Sequence, residues 1–231
     1  SITFDADTTD DYLADNGEKF NVSIDSVADN GEFEAINSDG FTDTNNVVHV
    51  DNLNTEINDE TGTDTPPGGE DTVYAVLTGP GSVVEGETTT DYTVTLRDQD
   101  GTAVAVTQDT DVTITFANVT TEDGDYEFNN AATKTVTITA TNSSITFTVD
   151  TNDDYLDEVS EDYTATITGV ADHDEFEALD YAGYTDTAST VHVNTQTTSI
   201  TDELTQGPED TVYAVLTGPG SVVEGETTTD Y

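Results

Sequence analysis

The chain has 231 residues, with 50 Asp and Glu set against three basic residues, Lys19, Arg97 and Lys134, for a formal charge of −47. That balance excludes nucleic acid as a partner, because phosphate binding needs clustered Lys or Arg, and it disfavours anionic membrane surfaces. There is no Cys to form a disulfide or a zinc thiolate, and no run of about 18 apolar residues for membrane insertion.

In chain order, the first residues, SITFDAD, form no signal peptide, and the absence of Met makes the chain read as part of a longer one. SITFDADTTDDYL (1–13) returns as SITFTVDTNDDYL (144–156), an offset of 143. VADNGEFEAI (27–36) returns as VADHDEFEAL (170–179), and VHV (48–50) as VHV (191–193). EDTVYAVLTGPGSVVEGETTTDY occurs twice without change, at 70–92 and 209–231, an offset of 139. Solenoid repeats run about 20–50 residues, so a period this long means whole domains in tandem. The expected layout is the C-terminal part of one repeat over 1–61, a linker over 62–70, one complete repeat over 71–203, a linker over 204–208, and the first strands of a further repeat over 209–231. Pro66, Pro67 and Pro208 stiffen the two joints.

Within the complete repeat, TVYAVL (72–77) alternates as a half-buried strand does, breaks at Thr78-Gly79-Pro80-Gly81 and resumes at SVV (82–84). The break is of a kind that carries an edge strand from one sheet to another. DYTVTL (91–96) follows and closes at an Asp-Gly turn signal. VTITFA (112–117) is the next strand. TKTVTITA (133–140) and SITFTV (144–149) read as a hairpin, and DYTATITGV (162–170) and TVHVN (190–194) close the unit. About seven strands with turns between them predict an all-β, immunoglobulin-like Greek-key sandwich. Outward positions are mostly Thr, which suits a pleated surface.

The acids avoid those faces and crowd the connections. DTNDDYLDEVSED (150–162) holds seven carboxylates in thirteen residues. Two carboxylates about 4 Å apart repel by roughly 4 kcal/mol at a surface-like dielectric. Calcium relieves this by taking about six to eight oxygens, whereas zinc lacks its Cys or His cluster. Asp150, Asn152, Asp154 and Glu161 also fall at EF-hand-like positions, but Tyr155 stands where that loop needs Gly.

Val84-Glu85-Gly86-Glu87 before YTVTL, Thr121-Glu122-Asp123-Gly124, and Asp153-Asp154 followed by Glu158, Glu161 and Tyr163 together resemble the Calx-beta-like class of immunoglobulin-like domains. Similar units build the long arrays of secreted bacterial adhesins. The resemblance covers 72–195 and recurs at 1–50 and 221–226; segment 171–189 is longer than the family pattern. It implies calcium at one end of the sandwich, with Glu85, Asp123, Asp125, Asp153, Asp154 and Glu158 as candidate ligands. Asp150 and Glu161 join them from the same loop, and Asp10, Asp11, Asp15 and Glu18 keep the pattern in the N-terminal copy, with Asp15 for a Glu. At the joints, Asp59, Glu60, Glu70 and Asp71 match Asp202, Glu203, Glu209 and Asp210, a second place for calcium to bridge neighbouring repeats.

The expected role is therefore non-enzymatic: an extracellular, cell-surface extender whose partners are neighbouring repeats of its own chain. The competing reading is a self-assembling filament or surface layer, in which copies of the protein meet by strand exchange and the acidity reflects a salty habitat. Salt adaptation alone would scatter acids over all exposed faces. A glycosidase pair is disfavoured, because there is no Trp to stack a sugar. His49 and His192 are expected to point outward from the last strand, and His173 sits between Asp172 and Asp174. Asn21, Asn118 and Asn142 fit the N-glycosylation triplet.

Overall fold

A computed structural model describes residues 2–9, 11–59, 69–205, 207–208 and 210–228. Its regular elements are all strands: β1 (Glu18–Ser23), β2 (Phe41–Thr42), β3 (Val48–His49), β4 (Asn52–Ile57), β5 (Thr72–Thr78), β6 (Ser82–Val84), β7 (Tyr92–Arg97), β8 (Thr110–Asn118), β9 (Thr133–Ile138), β10 (Ser144–Phe147), β11 (Glu161–Val170), β12 (Ala178–Asp180), β13 (Tyr184–Thr185), β14 (Val191–His192) and β15 (Thr195–Thr201). Among the described residues no helix is long and apolar enough to cross a membrane.

β5 to β15 build a sandwich of two sheets, ordered β10-β7-β5-β12 and β6-β15-β11-β8-β9, with the short β13–β14 hairpin beside them. The immunoglobulin-like, all-β expectation holds. Alternation drives it: Tyr92, Val94 and Leu96 on β7, Val112, Ile114 and Phe116 on β8, and Tyr163, Ala165 and Ile167 on β11 all point into the core, while the intervening Thr side chains face outward. The break after β5 does carry the chain from one sheet to the other, since β5 pairs with β7 and β6 with β15. It passes so close to Tyr92 that a Cβ on Gly79 would lie 2.3 Å from the ring.

One end of the core is a layer of rings. Phe116 stacks on Phe128 at 4.1 Å, Tyr126 on Tyr163 at 4.4 Å, and Tyr92 on Phe147 at 5.0 Å. The Tyr92 hydroxyl donates to the Tyr163 hydroxyl at 2.9 Å. Because Tyr126 follows Asp125 and Tyr163 lies two residues after Glu161, this layer fixes where the acidic loops leave the sandwich.

Two expectations are corrected. β9 and β10 are not a hairpin: β9 pairs with β8 and β10 with β7, in opposite sheets. The turn between them is a crossover, held by Thr141 at φ 73° and by the N–H groups of Leu96 and Val106, which donate to the Ser143 and Asn142 carbonyls. The segment holding Val191 and His192 is also not the last strand. It pairs with Tyr184–Thr185, and β15 closes the sheet against β11. His192 is accordingly not a surface residue: it stacks on Tyr184 at 4.8 Å and lies 3.0 Å from the Asp186 carboxylate. Two Thr hydrogen bonds and His192 hold the Asp186 carboxyl below its usual range, the Thr190 N–H contributing most. His49 repeats the pairing with Asp43 at 3.3 Å but is more open.

The N-terminal region reproduces the register of its copy. β1 pairs with β4 from Glu18↔Ile57 to Ser23↔Asn52, and β11 pairs with β15 from Glu161↔Ile200 to Thr166↔Thr195. Each of these partners is displaced by the sequence offset of 143. Here, however, burial is lower: Phe20, Val22 and Ile57 are only half-buried, and Leu53 is exposed.

Candidate metal centre

Three connections meet at the ring-layered end of the sandwich: the turn after β6, the loop after β8, and the acidic loop between β10 and β11. Gly86 adopts φ 74°, and a Cβ there would touch the Asp153 side chain at 3.0 Å, so the first and third connections lie against each other. Thr151 clasps the same turn, its hydroxyl donating to the Glu87 carbonyl at 2.8 Å. The second connection joins through the Asn152 N–H, which donates to the Asp125 carbonyl at 2.9 Å.

The carboxylates follow the backbone. The Asp154 N–H donates to Glu85 Oε1 at 3.0 Å, and the Glu158 N–H donates to Asp202 Oδ2 at 3.0 Å. Burial pushes the Glu85 carboxyl up to about 7; the Asp154 N–H opposes that, and the charges of Asp154, Asp202 and Asp153 reinforce it. Glu161 is pushed up to about 8, by burial first and then by a hydrogen bond shared with Asp125 and the charge of Glu158. Glu158 and Asp202 are raised as well, each chiefly by burial, with Asp125 and Asp154 acting on Glu158, and Asp157 and Asp154 acting on Asp202. Burial and mutual repulsion thus make these carboxyls harder to ionise. The three basic residues are engaged elsewhere. Lys19 pairs with Glu56 at 3.0 Å, Lys134 faces Glu127 at 3.9 Å, and Arg97 donates to the Gly101 carbonyl.

The centre thus gathers Glu85, Asp125, Asp153, Asp154, Glu158, Glu161 and Asp202 from the predicted set. Asp157 was missed, although it sits between Asp154 and Glu158 in the sequence; its carboxyl shares a hydrogen bond with Asp202. Asp153, Glu203 and Asp210 bring one carboxylate oxygen each within 4.8 Å of one another, which places the acidic loop beside the segment after β15. Asp123 and Asp150 have other partners. Asp123 accepts from Asn118 Nδ2 at 3.1 Å and the Asn130 N–H at 3.0 Å, and Asp150 accepts from the Thr88 hydroxyl at 2.6 Å.

In the N-terminal copy, Asp11, Asp15, Glu18 and Asp59 line one cleft of about 730 Å³, with Glu177 at its edge. Asp10, Glu60 and Glu209 lie outside the described residues, as does most of the first linker.

Hard oxygen donors of this kind suit calcium, and they carry no sulfur or imidazole for a softer metal. Calcium would supply the positive charge that lets Glu85 and Glu161 ionise, with Asp125, Asp154, Glu158 and Asp202 as the other donors.

No family model matches the chain, and no curated protein matches it. Among solved structures it is similar to the apo form of the Calx CBD1 domain, at 13% identity over 57% of this chain and 97% of that one, with a TM-score of 0.41. The Calx CBD2 domain gives 14% identity over 57% of this chain and 87% of that one, with a TM-score of 0.39. CBD12 from CALX1.2 gives 13%, 57%, 45% and 0.39 for the same quantities, so the chain spans less than half of that protein. What the centre can bind is decided by its own carboxylates.

The raised carboxyls set a pH dependence for the ion-free protein. An acid whose pKa is higher in the fold than in the unfolded chain stabilises the fold fully below the unfolded value, and that stability is lost as pH rises through the folded value. In chelator, the melting temperature is expected to rise as pH falls from about 8 toward 4.5, the ordinary Glu value. Below that range Asp186, whose carboxyl is depressed, begins to protonate and the gain reverses. A thermal melt series in chelator checks the trend, and a midpoint that falls steadily on acidification from pH 8 contradicts it.

Proposed function

We propose that the chain is a run of tandem calcium-binding β-sandwich repeats from a large extracellular surface protein, acting as an extender in adhesion. On this reading residues 71–203 are one repeat, 1–61 the back of its predecessor and 209–231 the front of its successor. The observation that carries it is the convergence of Glu85, Asp154, Glu158, Glu161 and Asp202 from separate connections, with burial and mutual repulsion raising four of these carboxyls. Salt adaptation requires no such meeting. Surface carboxylates that only hold water gain nothing from burial beside one another.

The role is mechanical. Calcium neutralises the acids at the end of the sandwich, and the Asp153, Glu203 and Asp210 group extends that charge demand across the joint. With the ion bound, the joint stiffens; without it, like charges push neighbouring repeats apart. A stiff array holds a terminal binding domain away from the cell.

Calorimetric titration of the ion-free chain tests the binding step. Calcium is expected to bind with release of protons at pH 7, because Glu161 must lose one, and Glu161→Gln together with Asp154→Asn should weaken the strongest site at least tenfold. Equal affinity in the double variant would remove these residues from the site. Small-angle scattering tests the mechanical step: the maximum dimension should grow with calcium, and an unchanged value contradicts the rod.

A further inference from the structure

The acidic loop also carries an apolar pair, and the two copies of that pair differ in what covers it. In the N-terminal copy the loop reads Asp11-Tyr12-Leu13, and in the second copy Asp154-Tyr155-Leu156. The first pair is docked. Leu13 forms an antiparallel bridge with Phe176. The Ala14 N–H donates to the Glu175 carbonyl and the Glu177 N–H to the Tyr12 carbonyl, both at 3.1 Å. The Tyr12 and Phe176 rings lie 6.1 Å apart, and both Tyr12 and Leu13 pack against the hydrophobic core of the second repeat. A loop of one repeat thus adds a short strand to the body of the next.

The second pair is presented in the same way but stands open where the first is half-buried. The Leu156 N–H donates to Asp154 Oδ1 at 2.6 Å, as the Leu13 N–H donates to Asp11 Oδ1 at 2.9 Å. Tyr155 is 61% exposed and Leu156 51% exposed. An ordered loop that offers Tyr and Leu to water forgoes the apolar burial its copy gains.

We infer that Tyr155 and Leu156 are a docking element for a second copy of the repeat, which they engage through that copy's Glu175-Phe176-Glu177 segment. The contact runs head to tail: loop on one copy, strand edge on the next. Such an interface is heterologous, so it propagates along an array and does not close into a symmetric dimer. It uses backbone hydrogen bonds and two apolar side chains, and stands whether or not the centre binds calcium.

The absence of Cys makes disulfide trapping clean. Ala14→Cys with Glu175→Cys in one chain should close an internal disulfide, which establishes the docked contact in solution. For the inference itself, two variants are mixed at high salt to screen their charge. The acceptor carries Tyr12→Ser and Leu13→Ser, which uncover its own Phe176 edge, plus Glu175→Cys. The donor carries Asp157→Cys, the counterpart of Ala14. A disulfide-linked heterodimer is expected, at least fivefold above the yield when the acceptor Cys is placed instead at exposed Thr135 on β9. Adding Tyr155→Ser and Leu156→Ser to the donor should reduce the yield to that background. A yield indifferent to those two substitutions, or no greater than the Thr135 background, overturns the inference.

Discussion

Chelating calcium is expected to lower the melting temperature of the chain at pH 7.5 by roughly 10 °C. An ion present at about 100 times its dissociation constant stabilises the fold by about 2.7 kcal/mol, and each kcal/mol shifts the midpoint of a domain this size by roughly 4 °C. The physical source is the set of raised carboxyls: Glu85 at about 7 and Glu161 at about 8 mark charges that the fold bears at a cost when no cation is bound. Glu161→Gln should therefore lose most of the calcium shift and yet melt no lower than the unaltered chain in chelator. Asp123→Ala separates a ligand from a loop fastener. Because Asp123 holds Asn118 and the Asn130 N–H, its loss should cost about 1 kcal/mol with and without calcium and leave the shift intact. A midpoint unmoved by chelator would sink the calcium reading.

The sandwich was legible because strict alternation reports which face of a strand is buried. Tyr92, Val94 and Leu96, or Val112, Ile114 and Phe116, can be assigned inward from letters alone, and all are buried. What alternation cannot report is which strand lies beside which. TKTVTI and SITF look like a hairpin because they adjoin in sequence, yet Thr141 turns the chain across the core, and the two strands join different sheets. The His192 misreading has the same origin. Alternation put it outward, but β14 belongs to a small hairpin whose Tyr184 and Asp186 cover the ring.

Identical words show the limit more directly. Thr72–Thr78 is a strand with Val73 and Leu77 fully buried, while the same letters from Thr211 form no strand and leave Val212 70% and Leu216 81% exposed. β5 exists because β7 and β12 flank it; the propensity of the segment alone is too weak to order it. The site divides in the same way. The crowding of acids in one loop was visible in the sequence. That Glu85 and Asp202, separated by 117 positions, meet through Asp154 and Glu158 depends on the parallel pairing of β6 with β15, which no local pattern encodes.

The substitution expected to damage both fold and site is Phe116→Ala. Phe116 is fully buried and central to the ring layer: stacked on Phe128, edge-on to Phe147 at 6.5 Å, and 6.3 Å and 6.5 Å from Tyr126 and Tyr163. Removing the ring loses its transfer free energy and leaves a cavity that the two sheets cannot close, a cost of about 3–5 kcal/mol. Against a total stability of about 5–15 kcal/mol, that should bring the urea midpoint down by roughly 2 M. Tyr163→Phe is the mild counterpart. It keeps the stack on Tyr126 and removes only the hydroxyl that accepts from Tyr92, for about 0.5–1.5 kcal/mol. The two variants should differ in calcium affinity as well. Tyr126 and Tyr163 set the distance between Asp125 and Glu161, so loosening the layer beneath them weakens the site, whereas trimming one hydroxyl does not. Phe116→Ala chains that remain folded in low urea yet bind calcium as tightly as the unaltered chain would show that the acidic loops are positioned without the ring layer.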